Sequence, residues 1–142
     1  RSLVTGRLQK LAAQRGMDDL DQYVDQLIHC GDELQIVQVI DKLTTNETYF
    51  FREKAHFDFL RDTVIAAHPR GTALDIWSGA SSTGEEIYTI AFVLADALGP
   101  RGQWSVTGSD LSSQVLDTAR AGVYVTERTR GLPPRDDAGH LG

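Results

Sequence analysis

The 142-residue chain suits one ordinary domain, or one small domain plus part of another. Its net charge of −6 argues against nucleic-acid binding, and its single cysteine, Cys30, excludes an internal disulfide and fits a cytoplasmic protein. No apolar run approaches the ~20 residues that a membrane-spanning helix needs, so we expect no membrane insertion.

Residues 1–43 predict three short amphipathic helices joined by tight links. Apolar residues recur at helical spacing in each helix, and Gly16 and Gly31 mark two of the helix ends. Asp18 and Asp32 are placed to cap the second and third helices. We therefore expect a small N-terminal helical domain with nothing catalytic inside it.

Residues 44–71 predict a polar link followed by a fourth helix. The apolar residues Phe57, Leu60 and Val64 are its expected buried side. Pro69 and the residues that follow it end this helix. We treat this segment as a linker between two domains that also carries candidate ligand-binding residues.

Residues 72–142 predict the opening of an α/β domain. Two short apolar strands, at 72–77 and 103–108, flank a helix that Thr83 is placed to cap, and another helix follows the second strand. Strand, glycine loop, helix, strand is a βαβ unit, which forms parallel sheets and binds ligands at the carboxyl ends of its strands. Two strands are too few for a finished sheet, so we expect an incomplete domain. We also expect the chain to have no enzymatic activity by itself.

The loop Gly79–Gly84 has the glycine spacing of a phosphate-binding P-loop. The lysine and the hydroxyl residue that a P-loop needs next are replaced by Glu85 and Glu86, which would repel a triphosphate. The three-glycine fingerprint of dinucleotide-binding folds is also absent. Carboxylates at this loop suit a ligand with positive charge and hydroxyls, although acids in a first helical turn also stabilise the helix itself.

Four further polar residues are candidates for ligand binding. Asp110 follows the second strand, where an acid can accept ribose hydroxyls or form an Asx turn. Arg52 precedes the fourth helix, where the helix dipole disfavours a cation, so we favour a role in holding a ligand or substrate carboxylate. Asn46 and Thr48 either cap that helix or face the ligand. The four histidines show no metal-ligand spacing, and we expect no metal.

Three blocks of the sequence resemble the CheR family, the chemotaxis-receptor glutamate methyltransferases that use S-adenosylmethionine. They are Leu43–Glu53, Trp77–Tyr88 and Gly108–Tyr124. Their order and separation match the family, and the likeness runs from about Leu3 to Pro134. Ile87 departs from the family, which usually has proline after the paired glutamates.

The resemblance implies a Rossmann-like S-adenosylmethionine-dependent domain behind a helical one. Asn46, Thr48 and Arg52 would line the methionine side of the cofactor, with Arg52 also the candidate catalytic residue. Glu86 would contact the cofactor, and Asp110 would hold its ribose. The family's remaining cofactor contacts come from strands beyond those of this chain.

The resemblance also implies a reaction and a partner. The reaction is methyl transfer to a receptor glutamate, which is ionised at neutral pH and needs no general base. The basic residues Arg1, Arg7, Lys10 and Arg15 resemble the face that meets the acidic methylation helices of receptors, although such a helix face can simply be solvated. The alternatives are a non-catalytic S-adenosylmethionine-binding sensor or scaffold module, and a methyltransferase for another substrate.

Overall fold

The computed structural model describes residues 3–132, an α/β arrangement of helices with a small parallel sheet. The helices are α1 (Leu3–Gln14), α2 (Leu20–Cys30), α3 (Glu33–Leu43), α4 (Lys54–Phe59), α5 (Glu85–Leu98) and α6 (Ser113–Ala121). The strands are β1 (Leu74–Ser78) and β2 (Trp104–Gly108). A π-helical segment (Leu60–Ile65) continues α4, and a 3-10 helix (Thr126–Gly131) follows α6.

Helices α1, α2 and α3 bury a small apolar core, as their helical spacing predicts. Its buried members are Leu11, Ala12, Tyr23 and Val39. Asp32 caps α3 as expected, because its Oδ1 accepts a hydrogen bond from the Gln35 backbone N–H at 2.8 Å.

The cap of α2 is Asp19, so the expectation of Asp18 is wrong by one residue. Oδ1 of Asp19 accepts a hydrogen bond from the Asp21 backbone N–H at 2.9 Å. The turn that ends α1 runs on to Met17, whose N–H donates to the Ala12 carbonyl. Asp18 is therefore left as a link residue between that turn and the cap.

Helix α4 widens into the π-helical segment, and this shifts the face that the chain buries. Phe57 is 7% exposed, as expected, but Val64 is 37% exposed and Ile65 is buried at 8%. A π turn adds one residue relative to α-helical spacing, so the buried position moves from 64 to 65. The fourth helix is confirmed, whereas the expectation for Val64 is wrong.

Strands β1 and β2 are parallel neighbours, with Leu74 opposite Trp104 and Ser78 opposite Gly108. Helix α5 connects them, which gives the βαβ unit that the sequence predicts. A second apolar core packs beneath the sheet, and its buried members are Phe57, Ile65, Ile90 and Leu94. The carboxyl ends of the two strands therefore lie side by side, where two loops begin.

Helix α5 begins without the side-chain cap that the sequence predicts. Its N-cap is Gly84, at φ 97°, and no side chain caps it, so the expectation for Thr83 is wrong. The Thr83 hydroxyl donates instead to Oε2 of Glu85 at 2.5 Å. A Cβ at position 84 would lie 2.7 Å from the Tyr124 hydroxyl and 2.9 Å from the Cβ of Ala119. Only glycine suits this conformation and this close approach.

Regular structure continues past the point where the sequence pattern fades. The sequence predicts no element after Tyr124, yet the 3-10 helix Thr126–Gly131 forms there. In residues 3–132 the sheet has two strands, so its Rossmann-like character stays a prediction. The domain boundaries at residues 43 and 71 also stay predictions.

Candidate functional site

Ser82 joins the segments that carry the predicted site residues. Its Oγ donates a hydrogen bond to the Asn46 backbone carbonyl at 3.2 Å, and its N–H donates to Oδ2 of Asp110 at 2.8 Å. Ser82 is buried, with 6% of its surface exposed. The Asn46 segment, the glycine loop and the end of β2 therefore meet at one residue.

The same segments hold strained backbone. Among the described residues, three non-glycine residues have a positive φ: Phe51 at 58°, Glu53 at 57° and Ser82 at 47°. Such conformations cost on the order of 1–3 kcal/mol each and persist where the surroundings enforce them, often at ligand sites. Their concentration in the two loops that the sequence singles out supports a functional interpretation of both.

Asp110 is half-buried and follows β2. Its Oδ1 accepts a hydrogen bond from the Ser112 N–H at 2.9 Å, which is the Asx turn that the sequence left open, while Oδ2 accepts from Ser82. Each carboxylate oxygen can accept a second hydrogen bond, so the turn is compatible with a ligand role. Two backbone amides thus fix this carboxylate where the segments meet.

Glu85 and Glu86 are adjacent, but their environments differ. Glu86, in the first turn of α5, is exposed, and its Oε1 accepts a hydrogen bond from the hydroxyl of Ser78, the last residue of β1, at 2.8 Å. Glu85 is fully buried, and its Oε1 lies 2.7 Å from Nη1 of Arg128. Glu85 is therefore an internal, paired acid, whereas Glu86 is the carboxylate that the loop presents to solvent or ligand.

Arg52 is bound within its own loop. Its Nη1 donates to the Glu47 carbonyl at 2.6 Å, and its guanidinium carbon lies 6.0 Å from the centre of the Tyr49 ring. In the part of the chain that the structure describes, no hydrogen bond joins Arg52 or Thr48 to the glycine loop. The capping alternative for Asn46 and Thr48 is excluded, because no side chain caps α4.

Tyr124 and Arg128 hold the glycine loop from the other side, and the sequence analysis missed both roles. The Tyr124 hydroxyl donates to the Thr83 carbonyl at 2.6 Å, and Arg128 donates to the Thr83 hydroxyl at 3.1 Å. Burial, reinforced by the charge of Glu85, raises the pKa of Tyr124 from 10.0 to about 12, so it remains a donor at neutral pH. Tyr124 closes the third family block, whereas no sequence pattern marks Arg128.

Helix α1 and the turn that follows it carry basic residues, and two of them are already engaged. Nη1 of Arg7 donates to two backbone carbonyls at the end of α3, at 3.0 and 3.1 Å, where a cation is favoured. Arg15, in the turn after α1, donates to Oε1 of Gln38 at 3.0 Å. Lys10 is exposed on α1. Arg1 lies outside the described residues.

The described residues offer neither a metal site nor a membrane span. Residues 3–132 contain no cluster of three or more His, Cys, Asp or Glu side chains able to hold a metal ion. In the same range, no helix has both the length and the apolar character needed to cross a bilayer.

Comparison with known proteins decides the family. Residues 46–141 match the family described as CheR methyltransferase, SAM binding domain. The chain belongs to this family. This confirms the resemblance, and S-adenosylmethionine is the methyl donor that the CheR domain binds.

The chain is also similar to several chemotaxis protein methyltransferases. It is 40% identical over 136 residues to those of Salmonella typhimurium and Escherichia coli, which covers 95% of this chain and 46% of each relative. A relative of the same name in Borreliella burgdorferi is 34% identical over 140 residues, or 92% of this chain and 50% of the relative. The chain thus spans about half the length of the curated relatives that it matches.

The residues at the meeting point suit the cofactor of the CheR family. S-adenosylmethionine carries a sulfonium, an ammonium and a ribose diol, and the loops present an exposed carboxylate at Glu86 and spare acceptor capacity at Asp110. The chemistry of the acceptor groups is therefore compatible with this ligand.

Proposed function

We propose that this chain forms the S-adenosylmethionine-binding part of an enzyme that methylates glutamate carboxylates of chemotaxis receptors, giving methyl esters. The observation that carries the proposal is the junction at Ser82, which hydrogen-bonds to both Asn46 and Asp110. When bound, the cofactor supplies a methyl group activated by an adjacent positive sulfur. Membership of the CheR family supports the same reaction class.

The cofactor roles follow from the charges and positions of the loops. Asp110, fixed by two backbone amides, accepts the ribose hydroxyls. Glu86 adds negative charge at the end of β1 for the cationic end of the ligand. The resemblance to the CheR family, and not the geometry, assigns Asn46 and Thr48 to the methionine side.

Arg52 holds the methionine carboxylate of the cofactor in this proposal. Its contact with the Glu47 carbonyl uses one of five N–H donors, which leaves the fork able to bind a carboxylate. The receptor glutamate is already ionised at neutral pH, so the protein has only to position it and exclude water. That requirement explains a site made of orienting groups without an activated nucleophile.

The finer description of the fold is part of the same proposal. We assign β1 and β2 to a Rossmann-like sheet, because they are parallel and the candidate residues follow their carboxyl ends. We also assign the protein to the cytoplasm, where the methylated segments of receptors would meet it. The single cysteine, Cys30, is compatible with a reducing compartment.

The proposed receptor surface is the basic face of α1. Arg7 and Lys10 line one pocket together with Lys42 of α3, which extends the face beyond the residues that the sequence suggested. The two hydrogen bonds of Arg7 fix its side chain in place, so less side-chain freedom is lost on binding. An acidic receptor helix would complement this face.

The test of the proposed function is a cycle that pairs Asp110 with the ribose. Affinity for S-adenosylhomocysteine and for its 2′-deoxyribose analogue is measured by calorimetry on the wild-type chain and on Asp110→Ala. Removing a charge-assisted hydrogen bond should cost roughly 1.5–3 kcal/mol. Because both changes remove the same contact, the deoxy analogue should lose much less than S-adenosylhomocysteine when Asp110 is replaced.

A matched control separates this contact from general electrostatics. Asp117→Ala removes the same charge from α6, where Asp117 is 79% exposed and pairs only with Arg120 among the described side chains. Its affinity should equal that of the wild type. Equal losses for both ligands in Asp110→Ala would assign Asp110 to the turn alone and contradict its ribose role.

A further inference from the structure

The acid that opens α5 is buried and has a single cationic partner among the described residues. Glu85 has no exposed surface, and Nη1 of Arg128 lies 2.7 Å from its Oε1, while the Arg128 side chain remains 44% exposed. Arg128 comes from the 3-10 helix, 43 residues later in the chain. A long-range pair of this kind ties the 3-10 helix to the start of α5.

Thr83 is the point through which this pair acts on the glycine loop. Its hydroxyl accepts a hydrogen bond from Arg128 at 3.1 Å and donates one to Glu85 at 2.5 Å. Its carbonyl accepts from Tyr124 at 2.6 Å. Three contacts thus fix the residue next to Ser82, which in turn hydrogen-bonds to Asp110 and Asn46.

Arg128 also compensates the negative charge of Glu85 at the start of α5. Glu85 and Glu86 are adjacent acids, yet one is neutralised internally by Arg128 and the other is exposed. Without Arg128, a buried carboxylate would lose its counter-ion, and its uncompensated charge would favour movement of the side chain towards water. That movement would disturb Thr83 and the backbone that follows Ser81.

We propose that Arg128 is a positioning residue for the S-adenosylmethionine site, acting through Glu85 and Thr83 to fix the glycine loop. This inference rests on the proposed function for its ligand. It assigns a task to a residue outside the three sequence blocks that mark the family. Arg128 contacts Glu85 and Thr83, and the proposal gives it no direct contact with the cofactor.

The first measurement needs no ligand. Hydrogen exchange of the Ser82 and Gly84 amides reports the loop directly, since these N–H groups donate to Asp110 and to the Ser81 carbonyl. We expect Arg128→Met to speed their exchange by about tenfold or more, because breaking the buried Glu85–Arg128 pair is strongly destabilising and frees the loop at Thr83. Ile90→Ala, which opens a cavity elsewhere along α5, is the control for general loss of stability.

The second measurement is the affinity for S-adenosylhomocysteine. Arg128→Met should weaken it by about tenfold or more, whereas Ile90→Ala at similar stability should not. Arg128→Lys, which keeps the charge, should recover part of the loss. Glu85→Gln combined with Arg128→Met should bind more tightly than Arg128→Met alone, because no buried charge is left unpaired.

The outcomes separate this inference from the proposed function. Loop exchange and affinity that change no more in Arg128→Met than in Ile90→Ala would overturn the positioning role and leave the proposed function intact. A wild-type chain that does not bind S-adenosylhomocysteine would contradict the proposed function. In that case the exchange data alone would still decide whether Arg128 fixes the loop.

Discussion

Arg52 has a planar fork of N–H donors, and its proposed role depends on that shape. We expect Arg52→Lys to weaken binding of S-adenosylhomocysteine by about fivefold or more, because an ammonium cannot hold a carboxylate bidentately. The affinity is measured by calorimetry. 5′-Methylthioadenosine lacks the methionine carboxylate, so its affinity should not change.

Two outcomes would contradict this role of Arg52. Equal losses for both ligands would mean that Arg52 maintains its loop through Glu47 and Tyr49. No loss for either ligand would exclude the cofactor carboxylate as its partner. Arg120→Lys, on an exposed arginine of α6, is the matched control and should bind both ligands as the wild type does.

Tyr124 links the stability of the glycine loop to alkaline pH. Burial raises its pKa from 10.0 to about 12, so between these values the folded state holds a proton that the unfolded state releases. The contribution of this buried, protonated tyrosine to the free energy of unfolding is therefore complete below pH 10 and is lost as the pH rises towards 12. We expect the wild type to lose more unfolding free energy than Tyr124→Phe over this range, as measured by denaturant titration. Parallel pH profiles for the two proteins would contradict the assignment.

At the scale of elements, two glycines have opposite roles. Gly84 has φ 97° and no room for a Cβ, whereas Gly6 lies inside α1 with nothing within 4 Å of a Cβ. Gly84→Ala should cost about 2 kcal/mol or more of unfolding free energy, from backbone strain and overpacking against Tyr124. Gly6→Ala should add roughly 0.5–1 kcal/mol, because alanine is the better helix former. A tolerated Gly84→Ala would mean that α6 does not pack on the loop as described.

The elements themselves follow from local sequence, and the errors lie where backbone geometry departs from a standard period. Apolar spacing predicts the six α-helices and both strands to within a few residues. It fails at Val64, because the π turn that moves burial to Ile65 leaves no mark in composition. The prediction of a helix cap fails at Thr83, because the close approach of Tyr124 requires glycine at the N-cap of α5.

The candidate site was predictable where chemistry lies in short motifs. Asp110 follows from the end of β2, and Glu86 follows from the glycine loop after β1. The structure also brings the Asn46 backbone next to that loop. The pair of Arg128 with Glu85 was not predictable, because it joins residues far apart in sequence. Long-range ion pairs of this kind have no periodicity, so only the folded chain reveals them.

At the scale of the whole molecule, the proposed receptor face and the cofactor loops belong to connected parts. Arg7 of α1 donates to the carbonyls of Leu43 and Thr44, directly before the segment that begins at Asn46. These hydrogen bonds join α1 to the end of α3, from which the chain continues into one side of the candidate site. The βαβ unit supplies the other side through Ser82 and Asp110.

The central claim is that the segment beginning at Asn46 and the loops of the βαβ unit together bind S-adenosylmethionine. The most direct test is an NMR titration of the isotopically labelled 142-residue chain with S-adenosylhomocysteine, which detects weak binding. We predict saturable shifts concentrated in three segments: residues 46–52, 79–86 and 108–112. Amides of α1 and α2 should stay unchanged and serve as the internal control. Saturable shifts elsewhere, or no shifts at millimolar ligand, would contradict the account.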